Sequence, residues 1–339
     1  MMLSRDGIRK AVGGIRMNVS LTSPASAGSV PREPGDRRGT NTAFSCCVCA
    51  ERNAERPFPR RLPWLVRCRT CGTQSVWPQP TEAELECIYD KDYFKMFGQD
   101  EADCGGYRAL QRVRAEHLLR RVTGDAAPGR LLDVGCGLGE LLFAAARRGW
   151  SVFGVDRNPW AVAAIDRRLR GGAVCATVEQ FLEQRVHAGL FDLIVCYDVL
   201  EHLRRPLDVL RGLGELLSRS GRVVVTTVDC RSLPARLMRT YWHHYHRDHL
   251  WYFHRTALRR LAERAGLDVA CCTHAWKPFH LNYVLSIFAA TLSRSVVGRA
   301  AERIRRTLPE WIRTRPFVLG DGLFLVATRK GGERCEGRP

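Results

Sequence analysis

Residues 131–140 read Leu-Leu-Asp-Val-Gly-Cys-Gly-Leu-Gly-Glu, and no other run in this 339-residue chain limits the fold so narrowly. The apolar stretch Arg130 to Val134 has the length and composition of a buried strand, and helix-forming residues resume at Leu138. Between them Gly135, Gly137 and Gly139 suit a backbone that must bend sharply and let a ligand come close. The helix that opens there contributes N–H donors and the positive end of its dipole. Asp156 closes the next apolar run, Val152 to Val155, which puts a carboxylate at the carboxyl edge of the same sheet, in place to accept two hydrogen bonds from a ribose diol. Loop and acid together mark a nucleoside site.

The spacing discriminates among nucleoside cofactors. A dinucleotide loop wants G-x-G-x-x-G/A, whereas here the glycines fall as G-x-G-x-G and Glu140 follows, so a pyrophosphate would meet a carboxylate where it needs donors. Around the loop, short apolar runs alternate with amphipathic segments. Strands are expected at Arg130 to Val134, Ser151 to Val155, Ala173 to Ala176, Phe191 to Tyr197 and Arg222 to Val228, with helices from Leu138, Pro159, Val178 and Pro206. That alternation predicts an α/β fold, a parallel sheet with helices on both faces. A preceding helix is expected over Tyr107 to Val122, with Leu110, Val113, Leu118 and Leu119 near one face, and a later one between an N-cap at Thr256 and a stop at Gly266. Strands at Leu267 to Thr273 and Leu323 to Thr328 complete the pattern.

The segments LLDVGCGLGELL, VFGVD, FDLIVCYDVLEHLRRPLDVL, GRVVVTT, HLWYFHRTALRRLAERAGLDV and LFLVATRK resemble the class I S-adenosylmethionine-dependent methyltransferases over nearly all of Tyr107 to Lys330. The resemblance implies a Rossmann-like seven-stranded sheet whose last strand, here Leu323 to Thr328, is antiparallel. It implies S-adenosyl-L-methionine as cofactor, with Asp133, Gly135 and Gly137 around the methionine part, Gly139 completing the loop, and Asp156 on the ribose. Thr177 or Val178 would line the adenine, and Tyr197 and Asp198 would lie beside the sulfonium. Methyl transfer is an in-line displacement, so such a protein chiefly aligns its reactants and supplies a base when the acceptor must lose a proton. His202, just past the fourth strand, has a side chain that titrates near neutrality. Asp198, Glu201 and His202 also resemble the E-x-x-E-H cluster of metal-assisted O-methyltransferases, which leaves a divalent ion there an open alternative to a loop-organising role. Tyr241 to His254 holds five of the ten histidines among aromatics and can wall an acceptor pocket. His249 is its second candidate base, because HLWYF resembles the family's H-L-x-x-F element. His243, His246 and His249, at three-residue steps, would drift around a helix rather than share a face for a metal.

Cys46-x-x-Cys49 and Cys68-x-x-Cys71 stand 18 residues apart, the spacing of a tetrahedral zinc site. Four thiolates fill the coordination of such an ion, so the site is structural, and the segment around it is too short and too poor in aliphatics to fold on apolar burial alone. The expected organisation is a tail over 1–43, a small zinc-ribbon-like module with four cysteine ligands over 44–80, a connector and helix over 81–129, the methyltransferase domain over 130–330 with a helical insertion at about 277–320, and a tail over 331–339. The module resembles the cysteine-rich segment that precedes methyl-transfer domains acting on glycans and natural products.

The formal charge is +18, but the cations are nearly all arginines spread along the chain, which reads as compositional bias and argues against a nucleic-acid surface. The expected partner is a small-molecule acceptor: a glycan precursor, nucleotide sugar or natural product. An RNA or protein methyltransferase docking through the zinc module, and a cofactor-binding scaffold without catalysis, stay open. The opening residues lack the apolar core of a signal peptide and no run of about 20 apolar residues occurs, so a cytoplasmic enzyme with 14 reduced cysteines is expected. A basic helical segment after Leu281, with Val284, Leu285, Ile287 and Phe288 opposite its arginines, would either cover the sheet or contact a membrane surface.

Overall fold

The computed structural model describes residues 43–88, 104–124, 127–169, 171–184, 190–281, 285, 289, 296–309, 312 and 316–331. The expected tails (apart from positions 43 and 331), the part of the connector over 89–103, and Val284, Ile287 and Phe288 lie outside these residues. In chain order the elements are β1 (Ala54–Glu55), β2 (Leu65–Cys68), β3 (Gln74–Val76), α1 (Glu82–Ile88), α2 (Cys104–Thr123), β4 (Arg130–Val134), α3 (Glu140–Ala146), β5 (Ser151–Asp156), α4 (Pro159–Asp166), β6 (Ala173–Cys175), α5 (Val178–Gln184), β7 (Phe191–Tyr197), α6 (Pro206–Glu215), β8 (Leu217–Val228), α7 (Leu233–Met238), β9 (Trp251–Tyr252), α8 (Arg255–Arg264), β10 (Leu267–His280), α9 (Val296–Thr307) and β11 (Pro316–Arg329).

The large sheet has seven strands in the order β10-β11-β8-β7-β4-β5-β6. Strands β8, β7, β4, β5 and β6 pair in parallel, and β11 runs antiparallel between β8 and β10. This is the seven-stranded architecture with an antiparallel last strand that the sequence predicts. Successive residues of the central strands face opposite sides, so Leu132, Ile194, Val223 and Val225 pack with Val209, Leu210, Leu213, Leu258 and Leu261 of α6 and α8. Leu131, Leu193, Val195 and Val224 pack on the other face with Leu118, Leu119 and Val122 of α2 and Leu142 of α3. Because both faces are covered, these strands show continuous apolar runs instead of alternation.

Three local expectations differ from the structure. Val113 is 58% exposed and does not join the buried face of α2. At 3.6 residues per turn it lies about 140° from Leu118, which the shared apolar character of the two residues hides. The cap of α8 is His254, not Thr256: its side chain accepts from the N–H of Ala257. Residues 277–280 and 316–320, expected within a helical insertion, belong to β10 and β11, which pair with each other along twelve register positions. Neither strand can alternate visibly in sequence where Lys277, Pro278 and Gly320 interrupt it. Within α9, Glu302 pairs with both Arg305 and Arg306, so part of the basic character expected there is compensated locally. No helix among the described residues is long and apolar enough to cross a membrane.

The small sheet has the order β1-β2-β3-β9, so the last strand of the cysteine module pairs with a strand that follows β8 by more than twenty residues. Ser75 Oγ donates to the Leu250 carbonyl at 2.9 Å, and Tyr245 donates to Gln74 at 2.8 Å. Val48, Val66 and Cys68 join the same apolar cluster as Ile194 and Leu258. The residues of β3 are therefore fully buried despite being polar at Gln74 and Ser75. His254 links the two parts again: Nδ1 accepts from Ala257 N–H and Nε2–H donates to the Cys71 carbonyl at 2.8 Å. Burial holds this ring below the usual imidazole pKa, in the neutral form that both bonds require. Replacing His254 with Ala removes both bonds and should cost about 1–3 kcal/mol in urea unfolding, and His254→Asn, which keeps the cap without the reach to Cys71, should fall between the two.

Candidate active site

Strand β4 ends in a turn that closes on β5. The N–H groups of Gly135 and Cys136 both reach the Val155 carbonyl, at 2.8 and 3.1 Å. Gly137 N–H donates to Asp156 Oδ2 and Asn158 N–H donates to Asp156 Oδ1, each at 2.8 Å. The loop and the acid that the sequence pairs across 19 residues are thus in direct contact. Gly135 and Gly137 have φ of 68° and 48°, in the left-handed region. A Cβ on Gly135 would lie 2.4 Å from Val199, so no side chain fits; one on Gly137 would meet nothing within 4 Å, so the space over the loop is open. Gly139 is the N-cap of α3.

Asp133 is 4% exposed, and its carboxyl takes no hydrogen bond among the described residues. Burial pushes its carboxyl well above the usual range, and the nearby Asp156 adds to the effect. Burial also raises Asp156, with the N–H groups of Asn158 and Gly137 opposing it. A buried and a half-buried carboxyl therefore line an open loop, an arrangement that favours a ligand carrying an ammonium group and a diol. Glu140 does not face this space as a bare charge. It is buried, with Arg112 at 3.3 Å and Arg168 at 3.9 Å, so the repulsion argument against a pyrophosphate weakens and the glycine spacing carries that distinction.

The remaining expected residues fall along the same carboxyl edge. Thr177 and Gln180 cap α5 reciprocally, Gln180 accepting from Thr177 N–H at 2.9 Å and Thr177 Oγ1 from Gln180 N–H at 3.2 Å, and Val178 is buried. Tyr197 ends β7. Asp198 follows it at φ 54°, strained for a residue with a side chain, and is held by Thr226, whose Oγ1 donates to Asp198 Oδ1 at 2.9 Å. A short helical turn, Leu200–His202, comes next, with Glu201 buried. His202 Nδ1–H donates to the Asp248 carbonyl at 3.0 Å, which makes Nε2 the basic atom of the ring. Burial lowers the His202 pKa, and Asp248 opposes that shift. The rings of His202 and His249 meet edge to face at 4.6 Å. Sequence reasoning missed Thr226, Asp248 and Asp321. Asp321 carries a faint signal, a Gly-Asp-Gly break in an apolar strand; the other two carry none.

Cys46, Cys49, Cys68 and Cys71 bring their four sulfurs within 4.8 Å of one another, with Cys46 to Cys71 at 3.4 Å and Cys49 to Cys68 at 3.5 Å. A tetrahedron of thiolates about 2.3 Å from zinc has sulfur separations of about 3.8 Å, so the four fit such an ion. Cys47 is not among them.

The family described as a methyltransferase domain matches residues 107–271. The match takes in just under half of the chain. Ubiquinone biosynthesis O-methyltransferases of Sodalis glossinidius and Cronobacter sakazakii are each 32% identical to the chain, over 140 and 130 residues. These matches take in 40% and 37% of this chain and 55% and 54% of theirs, so the chain spans about half the length of the curated relatives it matches. Among solved structures, an S-adenosylmethionine-dependent methyltransferase from Archaeoglobus fulgidus has a TM-score of 0.48 at 18% identity, covering 70% of this chain and 100% of its own. Magnesium protoporphyrin IX methyltransferase from Synechocystis, with bound SAH, has 0.47 at 14%, covering 74% and 100%.

Elemental analysis should find at least one zinc per chain. Cys71→Ser should lose one equivalent and lower the unfolding midpoint, while Cys47→Ser should keep the full content; equal zinc in both variants would remove the four-cysteine assignment.

Proposed function

We propose that the chain transfers a methyl group from S-adenosyl-L-methionine to a small-molecule acceptor, with zinc on Cys46, Cys49, Cys68 and Cys71 as a structural ion. The observation that carries this reading is the pair of carboxyls, buried Asp133 and half-buried Asp156, on either side of the open Gly135–Gly139 loop. In it, Asp133 pairs with the ammonium of the methionine part, and Asp156, positioned by Gly137 and Asn158, accepts the ribose hydroxyls. Tyr197 and Asp198 border the sulfonium, and Thr177 and Val178 the adenine. Bound cofactor supplies an electrophilic methyl group on a positively charged sulfur; the chain aligns it. His202 stands as the proton acceptor for an acceptor hydroxyl, with its tautomer set by Asp248, and His249 packs against it to orient ring or acceptor. Ubiquinone biosynthesis O-methyltransferases among the relatives support oxygen as the methylated atom. The glycan or natural-product class rests on the resemblance of the cysteine module.

Calorimetry of the zinc-loaded chain should show saturable binding of S-adenosylmethionine and of its demethylated product, weakened at least tenfold by Asp156→Ala. No binding of either would end this reading. The raised pKa of Asp133 fixes the sign of a pH effect. A ligand ammonium favours the ionised carboxylate and lowers that pKa, so binding releases a proton and affinity rises with pH. Asp133→Asn should abolish the proton release seen when buffers of different ionisation heat are compared. On a competent acceptor, His202→Ala should lower kcat by about 10²–10⁴ with cofactor affinity unchanged.

A further inference from the structure

His243 and His244 follow the helical turn Arg239–Tyr241, and Asp321 interrupts β11 beside the end of β8, where its carbonyl accepts the N–H of Asp229 at 2.9 Å. The cofactor loop and the proposed base use none of the three. His244 Nε2 lies 3.0 Å from Asp321 Oδ2, and His243 Nε2 lies 3.7 Å from the same oxygen. The two rings are 4.0 Å apart and tilted by 40°. Asp321 is 1% exposed, whereas both histidines reach partly to solvent.

A buried carboxyl stays ionised only beside a positive charge or hydrogen-bond donors. Protonating one imidazole supplies the charge, but protonating both would set two cations against each other at 4.0 Å. A single divalent ion between the three atoms serves all of them at once, because two neutral imidazoles and one carboxylate form a familiar donor set for first-row transition metals. We propose that His243, His244 and Asp321 bind one divalent transition-metal ion, with coordination positions left for oxygen ligands. The site differs in kind from the four thiolates, since it offers nitrogen and oxygen donors and an open side. It sits at the β8–β11 end of the carboxyl edge: the His244 ring is 5.9 Å from that of His249, which in turn touches His202. Two other groups there, Glu201 with His202 and His249, and His246 with Asp248 and His249, have comparable spacing. The first contains the proposed base, and the second the half-exposed His246, whose Nε2 lies against the His243 carbonyl, so the group converging on Asp321 is the one that the proposed reaction leaves unused.

Co²⁺ titrated into the 339-residue chain with zinc already on its cysteines reads this site apart from the thiolates. One equivalent should bind, with visible bands lacking thiolate-to-cobalt charge transfer. His243→Ala, His244→Ala and Asp321→Asn should each weaken binding at least tenfold, and His202→Ala should leave it within twofold. As the buried Asp321→Asn can disturb folding, proton spectra of the unsubstituted protein give a second readout: imidazole signals of His243 and His244 should show the largest paramagnetic shifts. Absence of saturable Co²⁺ binding, unchanged affinity in the two histidine variants, or a loss centred on His202 would each overturn the proposal.

Discussion

Strand β4 lies in the middle of a sheet covered on both faces, and everything else in this domain follows from what such a strand can and cannot do. Its backbone groups pair with β5 on one side and β7 on the other, which occupies its donors and acceptors along its length. The chain must then leave the sheet at its carboxyl edge, and the parallel neighbours leave at the same edge. Polar groups that the core cannot hold collect there. Asp133, Asp156, Asp198, Glu201 and His202 all stand at or just past strand ends, and the glycine turn adds no side chain there. The geometry of the proposed site is thus a consequence of parallel pairing under two layers of helix.

The cysteine module is tied to that edge from outside. Its innermost strand is completed by β9, and β9 is in turn held to the end of β8 by the bridge between Asp229 and Phe253. His254 caps α8 with one ring nitrogen and binds the carbonyl of Cys71 with the other. A metal on the four thiols would therefore stiffen the segment from Tyr241 to His254 as well as its own loops, because the two share hydrogen bonds and an apolar cluster. The boundary near residue 80 separates stretches of chain, while packing is continuous across it.

The histidine-rich segment shows why residue content alone did not assign roles. Read along the chain, His243, His246 and His249 look like a possible set. In space His243 and His244 turn to Asp321, His246 and His249 stack at 4.7 Å, and His249 meets His202. The segment is a sequence of turns, so neighbours in the chain face different partners. Three acidic side chains, Asp248, Asp321 and Glu201, sort the histidines into groups with different chemistry.

By itself the sequence determined the alternation of strand and helix, the glycine turn with Asp133 and Asp156, and the two cysteine pairs. Each of these is set by spacing over a few residues, or by covalent and steric limits that act locally. Tertiary structure alone decided that Thr226 steadies Asp198, that Ser75 binds Leu250, and that Asp321 serves His243 and His244, contacts that join positions 28 to 175 residues apart. It also decided which apolar residues of α2 meet the sheet, and that β10 and β11 run on past their apolar cores. Such outcomes depend on which surfaces the finished sheet brings together, and a polar residue's neighbours in the chain carry no record of that.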